Sequence, residues 1–158
     1  MKIENLMTPA VQYCHAQDSL ESAAGKMWEY DIGCLPVVDD SDNAVGMITD
    51  RDICMAAYTQ GRALSEIPVA VAMSKELFAC RPNDSIKDAE EALRSHQVRR
   101  LPVLNQFRKL VGIVTLSDII REAEREISNK TQDVSTQEVT STIATVCQPR
   151  QHNGRTTA

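Results

Sequence analysis

The stretch "VGMITDRDI" at residues 45–53 returns as "VGIVTLSDI" at 111–119, and a shift of 66 residues brings the two halves of the chain into register without a gap. Met7 falls on Met73, Cys14 on Cys80, and Asp18-Ser19-Leu20 on Asp84-Ser85-Ile86. Leu35-Pro36-Val37 falls on Leu101-Pro102-Val103, Gly46 on Gly112, Thr49 on Thr115 and Asp52-Ile53 on Asp118-Ile119. Solenoid units run to about 20–50 residues. A longer period present twice marks a duplicated supersecondary block, so whatever this chain folds into, it must fold into it twice.

Each copy carries the same run of signals. A short extended segment (11–15, 77–81) comes first. Asp18 with Glu21 three residues later has the form of a capping box opening a helix. Behind it Leu20, Ala23, Ala24, Met27 and Trp28 recur at helical spacing, as do Ile86, Ala89 and Leu93 in the second copy. The apolar strands "CLPVVD" and "RLPVLN" follow, then the polar turns "DSDN" and "QFRK", then the strands "AVGMIT" and "LVGIVT". That pattern is a hairpin, and the proline places its first strand at an edge or a strand start. A last helix starts near Thr49 or Thr115, with Ile119, Ile120, Ala123 and Ile127 on one face in the second copy.

The block is thus β-α-β-β-α and the fold class α+β. One block of about 60 residues buries little surface alone. Two copies are expected to face each other about a pseudo-twofold axis, with a cleft per copy between them. The boundaries read as 1–60 for the first repeat, 61–72 for a connector punctuated by Gly61 and Pro68, and 73–127 for the second repeat. A short helical turn fits residues 69–73. From 128 to 158 Ser, Thr, Gln and Asn dominate, the composition of a disordered or loosely docked tail. Within it Val139, Ile143 and Val146 stand at i, i+4, i+7, which suits one short amphipathic helix.

Composition narrows the function classes. No apolar run approaches the ~18–20 residues of a membrane span, and "MKIENLMTPA" has no signal-peptide core. A cytoplasmic protein is expected. Cys14, Cys34, Cys54, Cys80 and Cys147 are odd in number and contain no C-x-x-C, so neither a disulfide framework nor a zinc site is expected. His15, His96 and His152 share no ligand spacing. The net charge of −5 argues against phosphate-driven nucleic-acid binding. No nucleophile–base pair or metal cluster of the kind an enzyme needs is evident, so no catalytic residue is assigned.

The repeated Thr-x-x-Asp phrase admits two readings. Thr at a helix N-cap, with an acid three residues on, is a capping box in its own right. The same junction also points N–H groups and a positive dipole end at any phosphate placed there. A threonine hydroxyl adds a hydrogen bond, and an aspartate one turn along can accept from two vicinal hydroxyls, such as those of ribose. Charge-assisted bonds of that kind contribute roughly 1.5–3 kcal/mol each. Gly46 and Gly112 fit either reading, since a bare Cα lets a ligand or another backbone approach.

The motifs M-T-P-x-V at 7–11, D-I-G-x-L-P-V-V-D at 31–39 and G-M-I-T-D-R-D-I at 46–53 resemble the CBS domain, named after cystathionine β-synthase. The second copy resembles it through M-S at 73–74, H-Q-V-R-R-L-P-V at 96–103 and G-I-V-T-L-S-D-I at 112–119. Together they are similar to a tandem CBS pair, or Bateman module, of the stand-alone bacterial kind. The resemblance implies a non-catalytic sensor of adenosyl ligands of the AMP, ADP and ATP class, acting on a separate and unidentified protein target. It also implies a homodimer. In it the aspartate binds ribose and the threonine phosphate, which gives the pairs Thr49/Asp52 and Thr115/Asp118. Base-lining positions implied are Val11, Cys14, Ile32, Leu35 and Pro36 in one copy and Leu77, Cys80, Val98, Leu101 and Pro102 in the other; core packing explains these positions equally well. No resident cofactor is implied, and magnesium enters only with a bound ATP.

The copies differ most in charge. Arg99 and Arg100 replace Gly33 and Cys34, Arg108 and Lys109 replace Asp42 and Asn43, and Leu116-Ser117 replaces Asp50-Arg51. The cleft at Thr115/Asp118 is expected to be the better phosphate site, with one of Arg99 and Arg100 facing it, because adjacent strand residues point to opposite faces. The cleft at Thr49/Asp52 would then suit a less charged compound such as S-adenosylmethionine. Two other readings stand beside this one. One is a dimerising scaffold with vestigial pockets; the other is a sensor of S-adenosylmethionine, NAD or a cyclic dinucleotide.

Overall fold

The computed structural model of the chain describes residues 1–129 and 135–148. Its strands are β1 (Thr8–Pro9), β2 (Cys14–His15), β3 (Cys34–Val38), β4 (Ala44–Thr49), β5 (Arg100–Leu104) and β6 (Leu110–Thr115). Its helices are α1 (Leu20–Glu29), α2 (Asp50–Gln60), α3 (Val69–Ala72), α4 (Ile86–His96), α5 (Leu116–Asn129) and α6 (Thr136–Val146). One half reads β2-α1-β3-β4-α2. The other reads the same way, with a single bridge from Cys80 to Val103 in place of the first strand. The α+β class and the β-α-β-β-α block are as the sequence implies.

The two hairpins are copies down to their irregularities. In β3–β4, Cys34 pairs with Thr49 and Val37 with Gly46; in β5–β6, Arg100 pairs with Thr115 and Val103 with Gly112. Both ladders slip at the same place, between Val37 and Val38 and between Val103 and Leu104. Asn43 bridges Lys109, its own counterpart 66 residues on. A contact between a residue and its counterpart lies on the symmetry axis, so the two hairpin turns meet on the pseudo-twofold.

The halves exchange their leading segments. β1 pairs with β6, placing Thr8 opposite Ile113 and Pro9 opposite Gly112, so the arm of the first half lies on the sheet of the second. Reciprocally, Ser74 bridges Met47 on β4. The same exchange holds at the helix starts: Ser19 bridges Pro68, and Ser85 bridges Lys2. Gly46 and Gly112 are the points of closest approach. A Cβ on Gly46 would lie 2.5 Å from the Ser74 carbonyl oxygen, and one on Gly112 would lie 2.6 Å from Met7 Sδ and 3.0 Å from the Thr8 carbonyl. Of the two uses the sequence allowed for a bare Cα here, the arriving backbone is the one observed.

Each half has its own aliphatic core. Leu20, Ala23, Met27, Leu35, Val37, Ile48 and Ile53 fill the first; Ile86, Ala89, Leu93, Leu101, Val103, Val114 and Ile119 fill the second. Ile3 belongs to the second core and Ile67 and Val69 to the first, as the arm exchange requires.

Several expectations are corrected. The N-cap of α1 is Ser19, whose hydroxyl accepts the Ser22 N–H at 3.1 Å, and not Asp18. The Asp18 carboxylate is already taken by the His15 N–H at 2.9 Å. Trp28 is not on the buried stripe but 89% exposed, and Ile120 is exposed as well. Pro36 sits in the central strand of its sheet and not at an edge, whereas Pro102 lies in β5, which ends the order β1-β6-β5 and carries the Cys80–Val103 bridge on its outer side. The strand tolerates them because the neighbour is so short: Pro102 O accepts the Cys80 N–H at 3.1 Å, so the missing N–H falls just where that pairing begins.

The polar tail is also not uniformly loose. Thr136–Val146 form a helix capped by Ser135, with Val139 and Val146 buried in the second core and Ile143 packed against it. The i, i+4, i+7 spacing was the informative signal. Residues 130–134 and 149–158, and the side chain of Ile127, lie outside the described residues.

Candidate functional site

Both Thr-x-x-Asp phrases sit where a strand hands over to a helix: β4 to α2 and β6 to α5. Thr49 keeps extended backbone (φ −121°, ψ 163°), and its hydroxyl oxygen accepts the Asp52 N–H at 3.2 Å. Asp52 Oδ2 returns the bond, accepting the Thr49 N–H at 2.9 Å and its O–H at 2.7 Å. At Thr115 and Asp118 the same three contacts measure 3.2, 2.8 and 2.6 Å. The capping reading of the phrase is therefore realised in both halves, a device that contributes about 1 kcal/mol per helix.

Capping leaves different remainders. Asp52 Oδ1 has no partner among the described residues, whereas Asp118 Oδ1 is held by the Arg121 guanidinium one turn along α5. The helix N–H groups differ in the opposite sense. On α2 the Asp50 N–H donates to Gly33 O (3.3 Å), the Arg51 N–H to Asp50 Oδ1 (2.7 Å) and the Asp52 N–H to Thr49. On α5 the Leu116 N–H donates to Arg99 O (3.0 Å) and the Asp118 N–H to Thr115, but the Ser117 N–H has no partner among the described residues. The second junction thus keeps an open donor and no carboxylate beside its threonine; the first keeps an open acceptor.

Arg99 lies just before β5, and Arg100 opens it, half-buried. Arg99 is exposed. Arg100 reaches into the first half: a Cβ on Gly33 would lie 3.2 Å from Asp50 Oδ2 and 3.5 Å from Arg100 Nη2. Its charge therefore stands beside Asp50, the carboxylate that otherwise sets the first junction against phosphate. The same pair acts on Cys34, whose thiol burial pushes above the ordinary 9.0, with Arg100 pulling down and Asp50 pushing up.

Most of the apolar positions singled out in the sequence are core. Leu35 and Leu101 are fully buried, Cys14 and Cys80 lie within the two clusters, and Pro36 and Pro102 are buried. Burial pushes the Cys14 thiol up to about 11 and the Cys80 thiol up to about 12. Ile32 and Val98 flank the clusters half-buried, and Leu77 is half-buried as well. Val11 is different. It lines a cavity of about 410 Å³ with Ala10, Tyr13, Val38 and Asp42 from the first half and Lys109, Leu110 and Val111 from the second. That cavity lies at the start of β6, whereas Thr115 ends the strand, roughly 15 Å away at ~3.3 Å per residue.

Sequence reasoning missed Tyr13, Leu110 and Val111 as lining residues, and missed that Val11 faces the opposite repeat. The signal that points there is the turn substitution of Arg108-Lys109 for Asp42-Asn43. Ala10, Asp42 and Arg108 all take left-handed backbone (φ 54°, 58° and 63°) that no composition rule reveals. Among the described residues no group of three or more His, Cys, Asp or Glu is placed to hold a metal ion, and no helix is long and apolar enough to cross a membrane.

Comparison with known proteins gives the family. The model of the CBS domain matches residues 3–58 and again 64–125. The CBS domain-containing protein YhcV of Bacillus subtilis (strain 168) is 38% identical over 128 residues, 81% of this chain and 87% of its own length. The crystal structure of Hypoxic Response Protein I with two coordinated zinc ions is similar at a TM-score of 0.70 and 34% identity, covering 77% of this chain and 98% of that one. The crystal structure of CBSX2 in complex with AMP is similar at a TM-score of 0.69 and 26% identity, covering 78% and 96%. With two matched repeats, exchanged arms and paired strand–helix junctions, the chain belongs to the CBS domain family, as a CBS pair.

Proposed function

We propose that this CBS pair is a non-catalytic regulatory module that takes adenosyl ligands at Thr49/Asp52 and Thr115/Asp118 and signals occupancy to a separate protein. The observation that carries this reading is the hydrogen-bonding capacity left open after capping: Asp52 Oδ1 on one side and the Ser117 N–H on the other. A related CBS structure that holds AMP supports the ligand class. The open N–H at α5 suits phosphate, so AMP, ADP or ATP belongs at Thr115/Asp118. The open carboxylate oxygen at Asp52, beside Asp50, suits the hydroxyls of a less anionic adenosyl compound such as S-adenosylmethionine. No resident cofactor is part of the proposal, and magnesium arrives only with ATP.

The test is a thermal-shift and calorimetric panel of AMP, ADP, ATP, S-adenosylmethionine, NAD and cyclic dinucleotides, repeated on Asp52→Ala and Asp118→Ala. A ligand at 100 times its dissociation constant adds about 2.7 kcal/mol, which is several degrees for a chain of this size. Asp118→Ala should abolish the AMP shift and Asp52→Ala should spare it. Equal losses remove the asymmetry, and a silent panel removes the sensor. The second reading, a dimerising scaffold, is favoured by one observation: Trp28 on α1 and Tyr58 on α2 are 89% and 82% exposed. A homodimer through α1 and α2 would cover both.

A further inference from the structure

The helix α6 is held on the second half by a contact the first half lacks. It packs against α4 and α5, burying Val139, Thr142 and Val146. Lys87 Nζ lies 3.5 Å from Glu138 Oε1 at one end, and Gln97 Nε2 donates to Thr145 O at 3.5 Å at the other, so α6 runs parallel to α4. Between those two ties, one turn after Lys87, stands Glu90. It is only 2% exposed, and its Oε1 is buried without a hydrogen-bond partner. The buried hydroxyl on α6 does not serve it, because Thr142 donates to its own helix at Glu138 O (2.9 Å). In the first half, where the 3-10 turn Leu64–Glu66 and not a long helix packs against α1, the counterpart of Glu90 is Ala24. Packing alone therefore does not call for a carboxyl at this position.

We propose that α6 is a proton-sensitive cover, docked over Glu90 while that carboxyl is neutral and loosened when it ionises. The physical reason is the cost of burial. A buried polar atom without a partner is expensive, and a charged one more so. On α4 itself Lys87 and Arg94 favour the anion; across the interface Glu138 opposes it. α5 adds the buried Glu122, paired with Arg125, and Glu126 to the same helix packing, and β5 adds Arg100, which is turned toward Asp50. Burial is the largest influence and raises the Glu90 pKa from 4.5, with Glu138 adding to it. Release of α6 removes both. A group whose value is raised on docking stabilises the docked state below its released value, and that stabilisation disappears as pH rises through the docked value. Docking is thus tightest in acid and weakens upward from about 4.5.

Hydrogen exchange of the 136–146 amides in the full chain, corrected for intrinsic rates across about pH 4.5–8, tests this. In the wild type, protection should fall as pH rises, by up to tenfold for each unit by which docking raises the Glu90 value. Glu90→Gln and Glu90→Ala should both hold α6 protected and independent of pH, the second by restoring what the first half carries. Glu138→Gln should lessen the pH dependence without abolishing it, and Val139→Asp should expose α6 at every pH. A wild-type profile that is flat, or Glu90 variants that keep the wild-type slope, would overturn the proposal.

Discussion

Adding one methyl group at the arm crossings should distinguish the two halves. Gly46 and Gly112 are equivalent by repeat, yet what a Cβ meets there differs. At Gly46 it lies 2.5 Å from the Ser74 carbonyl oxygen, and backbone cannot swing away as a side chain can. Relief requires moving the arm by nearly 1 Å. That movement breaks the two bonds that hold it, Met47 N–H to Ser74 O (3.2 Å) and Ser74 N–H to Met47 O (2.8 Å). At ~0.5–1.5 kcal/mol per bond the loss is ~1–3 kcal/mol, in line with overpacking costs of ~1–3 kcal/mol. Reduced freedom of the unfolded chain returns ~0.5–1 kcal/mol.

The net expectation for Gly46→Ala is a loss of roughly 1–1.5 kcal/mol. At Gly112 the nearest atom is Met7 Sδ, the flexible end of a side chain, and the Thr8 carbonyl at 3.0 Å needs to yield by a few tenths of an ångström. Gly112→Ala should therefore stay within about 1 kcal/mol of the wild type. Urea unfolding reads the difference: for a gap of about 1 kcal/mol and a slope of roughly 1–3 kcal/mol/M, the midpoints should separate by about 0.3–1 M. Equal destabilisation, or the reverse order, would show that backbone crowding by the exchanged arm does not govern these positions.

Other expectations follow from the same geometry. A thiol reagent at neutral pH should modify Cys54 and Cys147 rapidly, since both are exposed, and reach Cys14 and Cys80 only on unfolding, because burial holds their thiols protonated; rapid labelling of Cys80 would contradict the core placement. The Ser85 hydroxyl and N–H hold the Asp88 carboxyl below its ordinary 3.8. Asp88 therefore stabilises the fold above that value and ceases to as pH falls through the lowered one. Ser85→Ala should flatten that part of the acid unfolding curve, and an unchanged curve would remove Asp88 from the acid response. Trp28 is the chain's single tryptophan and is 89% exposed, so a homodimer through α1 and α2 should shift its fluorescence to shorter wavelength with rising protein concentration; sedimentation as a dimer with no such shift would place the interface elsewhere.

The duplicated register, the hairpins and the helix stripes were legible because each depends on spacing within a few residues. The arm exchange was not, for a reason specific to repeats: Met7-Thr8 can pair with either sheet, since both offer the same partner, and alignment of one copy on the other cannot distinguish own from opposite. That is why the sequence sets Val11 beside residues of its own copy alone, whereas the cavity it lines draws on both halves. Asp18 and Ser19 are adjacent residues of equal capping aptitude, and the choice falls to Ser19 only because the His15 N–H claims Asp18. Trp28 follows Met27 at the edge of the stripe, where a turn of ~100° per residue carries it to solvent. The Thr-x-x-Asp pairs were found by recurrence, but their spare valences depend on Asp50, Arg121 and Ser117 one position or one turn away.

Those neighbours give a test that exchanges the two junctions. On the proposed function, a ribose at Asp118 must share the carboxylate with Arg121, while a ribose at Asp52 meets no competitor, because Met55 occupies the equivalent place. The Arg121 side chain is 71% exposed, so its bond to Asp118 contributes only ~0–1 kcal/mol and is easily given up. Arg121→Met should accordingly tighten adenosine binding at the second junction by at most about fivefold, and Met55→Arg should weaken it at the first by a similar factor. The choice of adenosine, which carries no phosphate, is deliberate. If adenosine and AMP both bind more weakly to Arg121→Met, the guanidinium serves the ligand directly and not as a rival for Asp118. If only AMP weakens, Arg121 leaves the carboxylate for the phosphate when ligand arrives, and the second junction is reset by occupancy at the start of α5, the helix on which α6 rests.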